Sequence, residues 1–197
     1  MEKSCVLAFH IVSQPFFLTL LAVQVVLSGL ASVINGYVLL KEKITKKYHP
    51  NARILIKSHF FFNLIVTLSF FLVDGSDFVR IVLIRTSNQD CPIILLPGIL
   101  AEIFKMPEFF GVNALGISLT CLGLERTVAA LHAKTYEKFR RTYPGWILLG
   151  VTVALAAFKA TFVFMKAKPP EWSPFATMGV LPVTVQRSVT TAKSSFR

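Results

Sequence analysis

Along the chain, polar positions are sparse in four long stretches and dense between them. The apolar stretches cover about residues 15–40, 54–84, 93–132 and 145–165. A bilayer core about 30 Å thick takes about 20 residues of helix to cross, and each stretch is long enough. Hydrocarbon offers no partner to a stray backbone N–H or C=O, so the expected conformation is helix. The pattern predicts an all-α, polytopic membrane helix bundle with four transmembrane helices. The first stretch, "PFFLTLLAVQVVLSGLASVINGYVLL", carries no charge at all. It is longer than the apolar core of a cleaved signal peptide, about 7–15 residues. Lys41 and Lys43 follow it in place of a cleavage site, which predicts a retained span.

The intervening segments set the expected orientation. Lys41, Lys43, Lys46, Lys47 and Arg53 fall between the first and second spans. Arg126, Lys134, Lys138, Arg140 and Arg141 fall between the third and fourth. The connection near Arg85 to Cys91 holds one Arg and one Asp, and Glu2 and Lys3 precede the first span. Excess Lys and Arg mark cytoplasmic loops. The expectation is a short extracellular N-terminus (1–14), a transmembrane region over 15–165 and an irregular tail from 166, the whole being a multi-pass protein of the plasma membrane.

Composition agrees with this reading. The 197 residues are 54% hydrophobic and only 16% charged, against about a quarter charged in soluble domains. The net charge of +11 gathers between apolar runs, which fits topology control and contact with acidic lipid rather than nucleic-acid binding. Cys5, Cys91 and Cys121 form neither a CxxC pair nor a Cys/His cluster, so no metal site or cofactor is expected. Cys121, inside an apolar run, reads as a small packing residue. No Ser/His or paired-Asp constellation lies at membrane depth, so no enzyme is expected.

Polar residues within the spans carry the candidate chemistry. Ser28, Ser32 and Gly36 recur every fourth residue, with Gln24 and Asn35 near that face. Such small residues let helix backbones approach closely. His59 and Asn63, one turn apart, read as bonding to neighbouring helices. Asp74 and Asp77 read as a solvated helix end or as ligand contacts. Glu102, Lys105 and Glu108 follow at i, i+3 steps, with Asn113, Gly116 and Thr120 continuing a similar stripe. Charge at mid-membrane costs about 2.5–3.5 kcal/mol per group on the insertion scale, so these groups should face protein or water. Two readings fit Glu102, Lys105, Glu108 and Asn113: the wall of a ligand cavity, or a locally paired, hydrated helix end. Pro107 should bend the helix between them.

Glu125 and Arg126 stand side by side at the end of the third span, followed by "TVAALHAKTYEKF". An acid followed by Arg at this place resembles the D/E-R-Y hallmark of seven-helix G-protein-coupled receptors. The longer string "LERTVAALHAKTYEKFRR", with Tyr136 and Glu137 about nine residues past its ERT core, resembles the nematode serpentine chemoreceptors of the class ab and class a group. "YHPNARILIKSHFFFNL" and "DCP" (90–92) look like other parts of that group. The resemblance implies a partial seven-transmembrane fold, truncated after the fourth helix. It implies a chemosensory function in which a small-molecule ligand biases helix arrangement. It also implies a G-protein-facing switch at Glu125, Arg126, Tyr136 and Glu137, with a heterotrimeric G protein as partner. In the family a Cys at the position of Cys91 bonds to the second outer loop; no Cys follows Cys121, which leaves Cys5–Cys91 as the candidate bridge and free thiols as the alternative. A four-helix membrane scaffold or accessory subunit, acting by lateral packing in an oligomer without ligand, is the alternative function.

Overall fold

The computed structural model describes residues 15–41, 48–87, 96–132, 142–166 and 172–173. Four helices account for nearly all of them: α1 Pro15–Leu40, α2 Pro50–Ser87, α3 Gly98–Leu131 and α4 Tyr143–Lys166. All four are long and apolar enough to cross a membrane, and the protein is an all-α membrane bundle. A proline marks every start. Pro15 and Pro50 open α1 and α2, Pro97 immediately precedes α3, and Pro144 is the second residue of α4. At a first turn the missing N–H costs nothing and the fixed φ is already helical. Pro107 lies inside α3, and the helix runs through it.

The second and third helices are longer than a bilayer core. At 1.5 Å per residue, the 38 residues of α2 extend roughly 57 Å and the 34 of α3 roughly 51 Å. Both begin or end away from the apolar runs. α2 starts at Pro50, ahead of its greasy stretch, and continues past Asp77 to Ser87. Between helices, Leu96–Pro97 (β1) pairs antiparallel with Trp172–Ser173 (β2), with Leu96 opposite Ser173. This two-residue ladder ties the start of α3 to the segment beyond α4.

α2 is the hub. It packs against α1, α3 and α4, and α3 packs against α4. Leu21 of α1 and Ile81 of α2 anchor one seam with Phe17, Leu18 and Phe78 around them. Phe62 of α2, Ala114 of α3 and Ala156 of α4 anchor the other. α1 and α3 begin at one end of the bundle, called the acidic end for Asp74, Asp77, Glu102 and Glu108. The opposite, basic end carries Lys41, Arg53 and Arg126.

Packing here departs from the pattern of a water-soluble core, although Leu55, Phe62 and Ile81 are covered. Large apolar residues such as Val33, Leu40 and Phe158 face outward, while the fully covered positions include Ala52, Ala114, Ser118, Thr152 and Ala156. Lipid is as apolar as leucine, so helices gain by close backbone approach and by hydrogen bonds rather than by hiding leucine. Two glycines make the approach possible. A Cβ on Gly111 would meet Val66 Cγ2 at 2.5 Å, and one on Gly145 would meet the Cα and carbonyl oxygen of Asn51 at 3.2 Å.

Specific side-chain hydrogen bonds join neighbouring helices. His59 Nδ1 lies 2.8 Å from Ser118 Oγ, which joins α2 to α3. Asn63 Nδ2 donates to Asn35 Oδ1 at 3.0 Å, which joins α2 to α1. Both bonds match the expectation for this polar pair. Asn35 in turn donates to the Ala31 carbonyl at 2.8 Å. Cys121 is buried as a free thiol, with Sγ 3.6 Å from Thr152 Oγ1 on α4, in keeping with a packing role. Most other hydroxyls bond back to their own helix, as Thr67 does to Asn63 and Ser69 to Ile65. This satisfies them without a partner helix.

Candidate functional site

Charge gathers at both ends of the bundle, and the two gatherings are built differently. At the acidic end, Asp74 and Asp77 stand one turn apart on α2, and both are fully buried. They do not form the solvated helix end that their position beside the apolar run suggested, because α2 continues past them. Asp77 Oδ1 accepts an ion pair from Arg80 Nη2 at 3.3 Å, and the same Nη2 reaches Ser76 Oγ at 3.5 Å. Asp74 has no such neighbour: both of its oxygens are buried, and neither has a hydrogen-bond partner among the described residues. Asp77, Glu108 and Lys105 lie within electrostatic reach of it. Glu102 and Lys105 are buried, and Glu108 is half-buried. Four carboxylates thus share this end with Arg80 and Lys105.

The stripe expected to continue through Asn113, Gly116 and Thr120 is geometrically sound, yet the structure covers only its beginning. Asn113 is half-buried, and Gly116 and Thr120 are exposed. Beyond Pro107 the covered positions of α3 become Gly111, Ala114, Ser118, Cys121 and Glu125. In a helix of 3.6 residues per turn, Lys105 and Ala114 point about 180° apart. The covered stripe therefore drifts around α3 from Lys105 and Glu108 at the acidic end to Gly111, Ala114 and Ser118 further along. Asn113 Nδ2 donates to the carbonyl of Phe109 at 2.8 Å, within its own helix. The structure brings Lys105 and Glu108 together with Asp74 and leaves Asn113 out of the cluster.

At the basic end, adjacency in sequence separates two side chains in space. Glu125 belongs to the covered stripe of α3, and its side chain is only 5% exposed; the next residue, Arg126, turns outward and is 49% exposed. Arg126 Nε lies 3.5 Å from Glu125 Oε2. Its guanidinium also sits over the ring of Tyr48, 5.2 Å from the centroid, which ties α3 to the segment before α2. Close by, the backbone N–H of Gly145 donates to Asn51 Oδ1 at 3.4 Å, which joins the starts of α4 and α2. Tyr136, Glu137, Cys5 and Cys91 lie outside the described residues. Among the described residues no group of three His, Cys, Asp or Glu is placed to hold a metal ion.

Sequence reasoning missed Arg80 and Tyr48. The Asp77-x-x-Arg80 spacing was a usable signal, since side chains three apart on a helix meet. Nothing local to Tyr48 announces its contact with α3.

Four membrane-length helices packed around α2 define a polytopic membrane protein. The family model described as "Serpentine type 7TM GPCR receptor class ab chemoreceptor" matches residues 2–178, and the chain belongs to this family. It is 26% identical over 179 residues to "Serpentine receptor class alpha/beta-14" of Caenorhabditis elegans, a match covering 89% of this chain and 45% of that protein. It is 28% identical over 182 residues to "Serpentine receptor class beta-17" of the same organism, covering 89% of this chain and 48% of that protein. The chain thus spans about half the length of these curated relatives. No solved structure matches.

Proposed function

We propose that the chain is a chemosensory receptor component of the plasma membrane. Its N-terminus and acidic end face outward, and its basic end faces a heterotrimeric G protein. The observation that carries this reading is the Glu125–Arg126 pair: one member is held in the bundle and the other is exposed beside Tyr48. A surface arginine held by a covered acid has two inexpensive arrangements, paired or released toward a partner. A ligand that favours one helix arrangement shifts the balance between them. The acidic end, across the bilayer from the pair, is where ligand would act. No bond chemistry is required of either end.

Nucleotide exchange tests the proposal. Membranes containing the full chain and a heterotrimeric G protein are expected to bind more GTPγS than membranes with the G protein alone, and Arg126→Ala is expected to abolish the excess at equal surface expression. An excess unchanged in Arg126→Ala removes the switch assignment. The scaffold alternative draws on the small residues Ser28, Ser32 and Gly36 of α1, where a Cβ on Gly36 would meet nothing within 4 Å among the described residues. Its signature is self-association in the same membranes with no GTPγS excess.

A further inference from the structure

We propose that the acidic end binds a small organic cation through a protonated amine, which bridges Asp74 of α2 and Glu108 of α3. The inference rests on the receptor reading for its premise that ligand acts at this end, and it names the chemical class.

Asp74 is the starting point. It is 0% exposed, and both carboxylate oxygens are without a hydrogen-bond partner among the described residues. A carboxylate in that position is costly unless N–H or O–H donors reach it. The cations already present are shared among several acids, Lys105 acting on both Asp74 and Glu108. Arg80 pairs with Asp77, and Lys105 is flanked at three residues' distance on either side by Glu102 and Glu108, with Glu108 within its electrostatic reach. Asp77 and Glu108 add their own negative field at Asp74. The local excess of acid attracts a cation and repels a carboxylate ligand.

The type of cation follows from placement. No three acidic, His or Cys side chains among the described residues converge closely enough for a metal ion. The acids lie instead on two neighbouring helices, within electrostatic reach of one another. An ammonium group offers three N–H donors in different directions, and charge-assisted hydrogen bonds to carboxylates are the strong kind. Beside Glu108 stands Phe109, whose ring meets Phe164 of α4 edge to face with centroids 6.2 Å apart. These rings provide an apolar surface for the uncharged part of such a ligand. Because Lys105 serves Asp74 and Glu108 at a distance, the amine competes with it.

Three ring compounds of matched shape and different charge form the test: phenethylamine, 2-phenylethanol and phenylacetate. The full chain in lipid nanodiscs, with Cys5 and Cys91 changed to Ser, is unfolded by heat while a thiol-reactive dye reports exposure of buried Cys121. Phenethylamine is expected to raise the midpoint by several degrees with saturation, and the other two are expected to leave it unchanged. Asp74→Asn and, separately, Glu108→Gln are each expected to raise the half-saturating amine concentration at least tenfold, while Lys105→Met lowers it. Equal shifts from the alcohol, a larger shift from phenylacetate, no shift from any compound, or undiminished amine binding in both carboxylate variants overturns the inference. Coupling is not part of the readout. Amine binding without GTPγS exchange therefore sinks the receptor reading alone, and exchange without amine binding sinks this inference alone.

Discussion

At the basic end, Arg126 leaves about half of its side chain exposed while buried Glu125 sits 3.5 Å from it. At the acidic end, Asp74 and Asp77 are both completely covered, and among the described residues Asp77 alone of the two has an ion-pair partner, in Arg80. The first arrangement places one charge near water, so separating it costs less than separating two covered charges, and such a pair suits a switch. In the second, the desolvation cost of Asp74 is borne in the folded state before any partner arrives. That cost is recoverable by whatever supplies the missing hydrogen bonds. The two ends therefore differ in which step is cheap: separation of charges at one, arrival of a charge at the other.

The largest expected effect comes from breaking the seam that connects the ends. Gly111→Leu places a side chain where even a Cβ meets Val66 Cγ2 at 2.5 Å and the Phe62 carbonyl at 3.4 Å. Overpacking of this kind costs about 1–3 kcal/mol and sometimes more, and here it pries α3 from the hub helix. The expected result is a large drop in the thermal midpoint by Cys121 labelling, together with loss of both end sites. Gly116→Leu serves as the contrast, since no atom lies within 4 Å of a Cβ there. It should leave the midpoint unchanged. Equal midpoints for the two variants would show that the α2–α3 seam is looser than described.

Much of this architecture was legible in the amino-acid order. Four hydrophobic runs predicted four helices, because lipid leaves the backbone few alternatives. His59 and Asn63 predicted interhelical bonds, because amides and imidazoles inside a membrane must find partners. The acid–arginine pair was visible because its adjacency is local. What was hidden depends on tertiary geometry. The burial of Asp74 and Asp77 follows from α2 running on, packed against its neighbours, past the firmly apolar part of its span that ends at Val73, and charge near such an end ordinarily signals water. The stripe from Glu102 to Thr120 has correct helical spacing, yet which side of α3 is covered changes past Pro107, and spacing alone does not report a neighbour. Tyr48 meets Arg126 only through folding.

Opposite signs at neighbouring aspartates sharpen the contrast between the ends. Asp77→Asn strips Arg80 of its partner in a covered site. Breaking a buried pair costs about 3–5 kcal/mol; Arg80 retains 23% side-chain exposure, so about 2 kcal/mol is expected. Asp74→Asn removes a charge that has no hydrogen-bond partner among the described residues and is expected to raise the midpoint. Parallel denaturation of the two variants checks the sign, and a fall in both would mean that Asp74 is satisfied after all. A smaller loss follows from His59→Ala, which ends the bond to Ser118. Interhelical hydrogen bonds in membranes average about 0.6 kcal/mol and reach about 1.7, so a shift of a degree or two is expected. A double-mutant cycle with Ser118→Ala isolates the pair.

The smallest effect on stability should accompany the largest effect on coupling. Arg126 is half exposed, although its acid partner Glu125 is covered, and it has a cation–π contact with Tyr48 at 5.2 Å. Exposed contacts of these kinds are worth below about 1 kcal/mol each. Arg126→Ala should therefore unfold close to the wild-type midpoint while losing GTPγS exchange. Tyr48 divides the two contributions. Tyr48→Phe keeps the ring and should keep both midpoint and exchange, whereas Tyr48→Ala frees the guanidinium and should shift basal exchange with little change in midpoint. If Arg126→Ala instead lowered the midpoint as far as Asp77→Asn does, the basic end would be a structural brace like the acidic one. The distinction between a site that holds charge and one that releases it would then disappear.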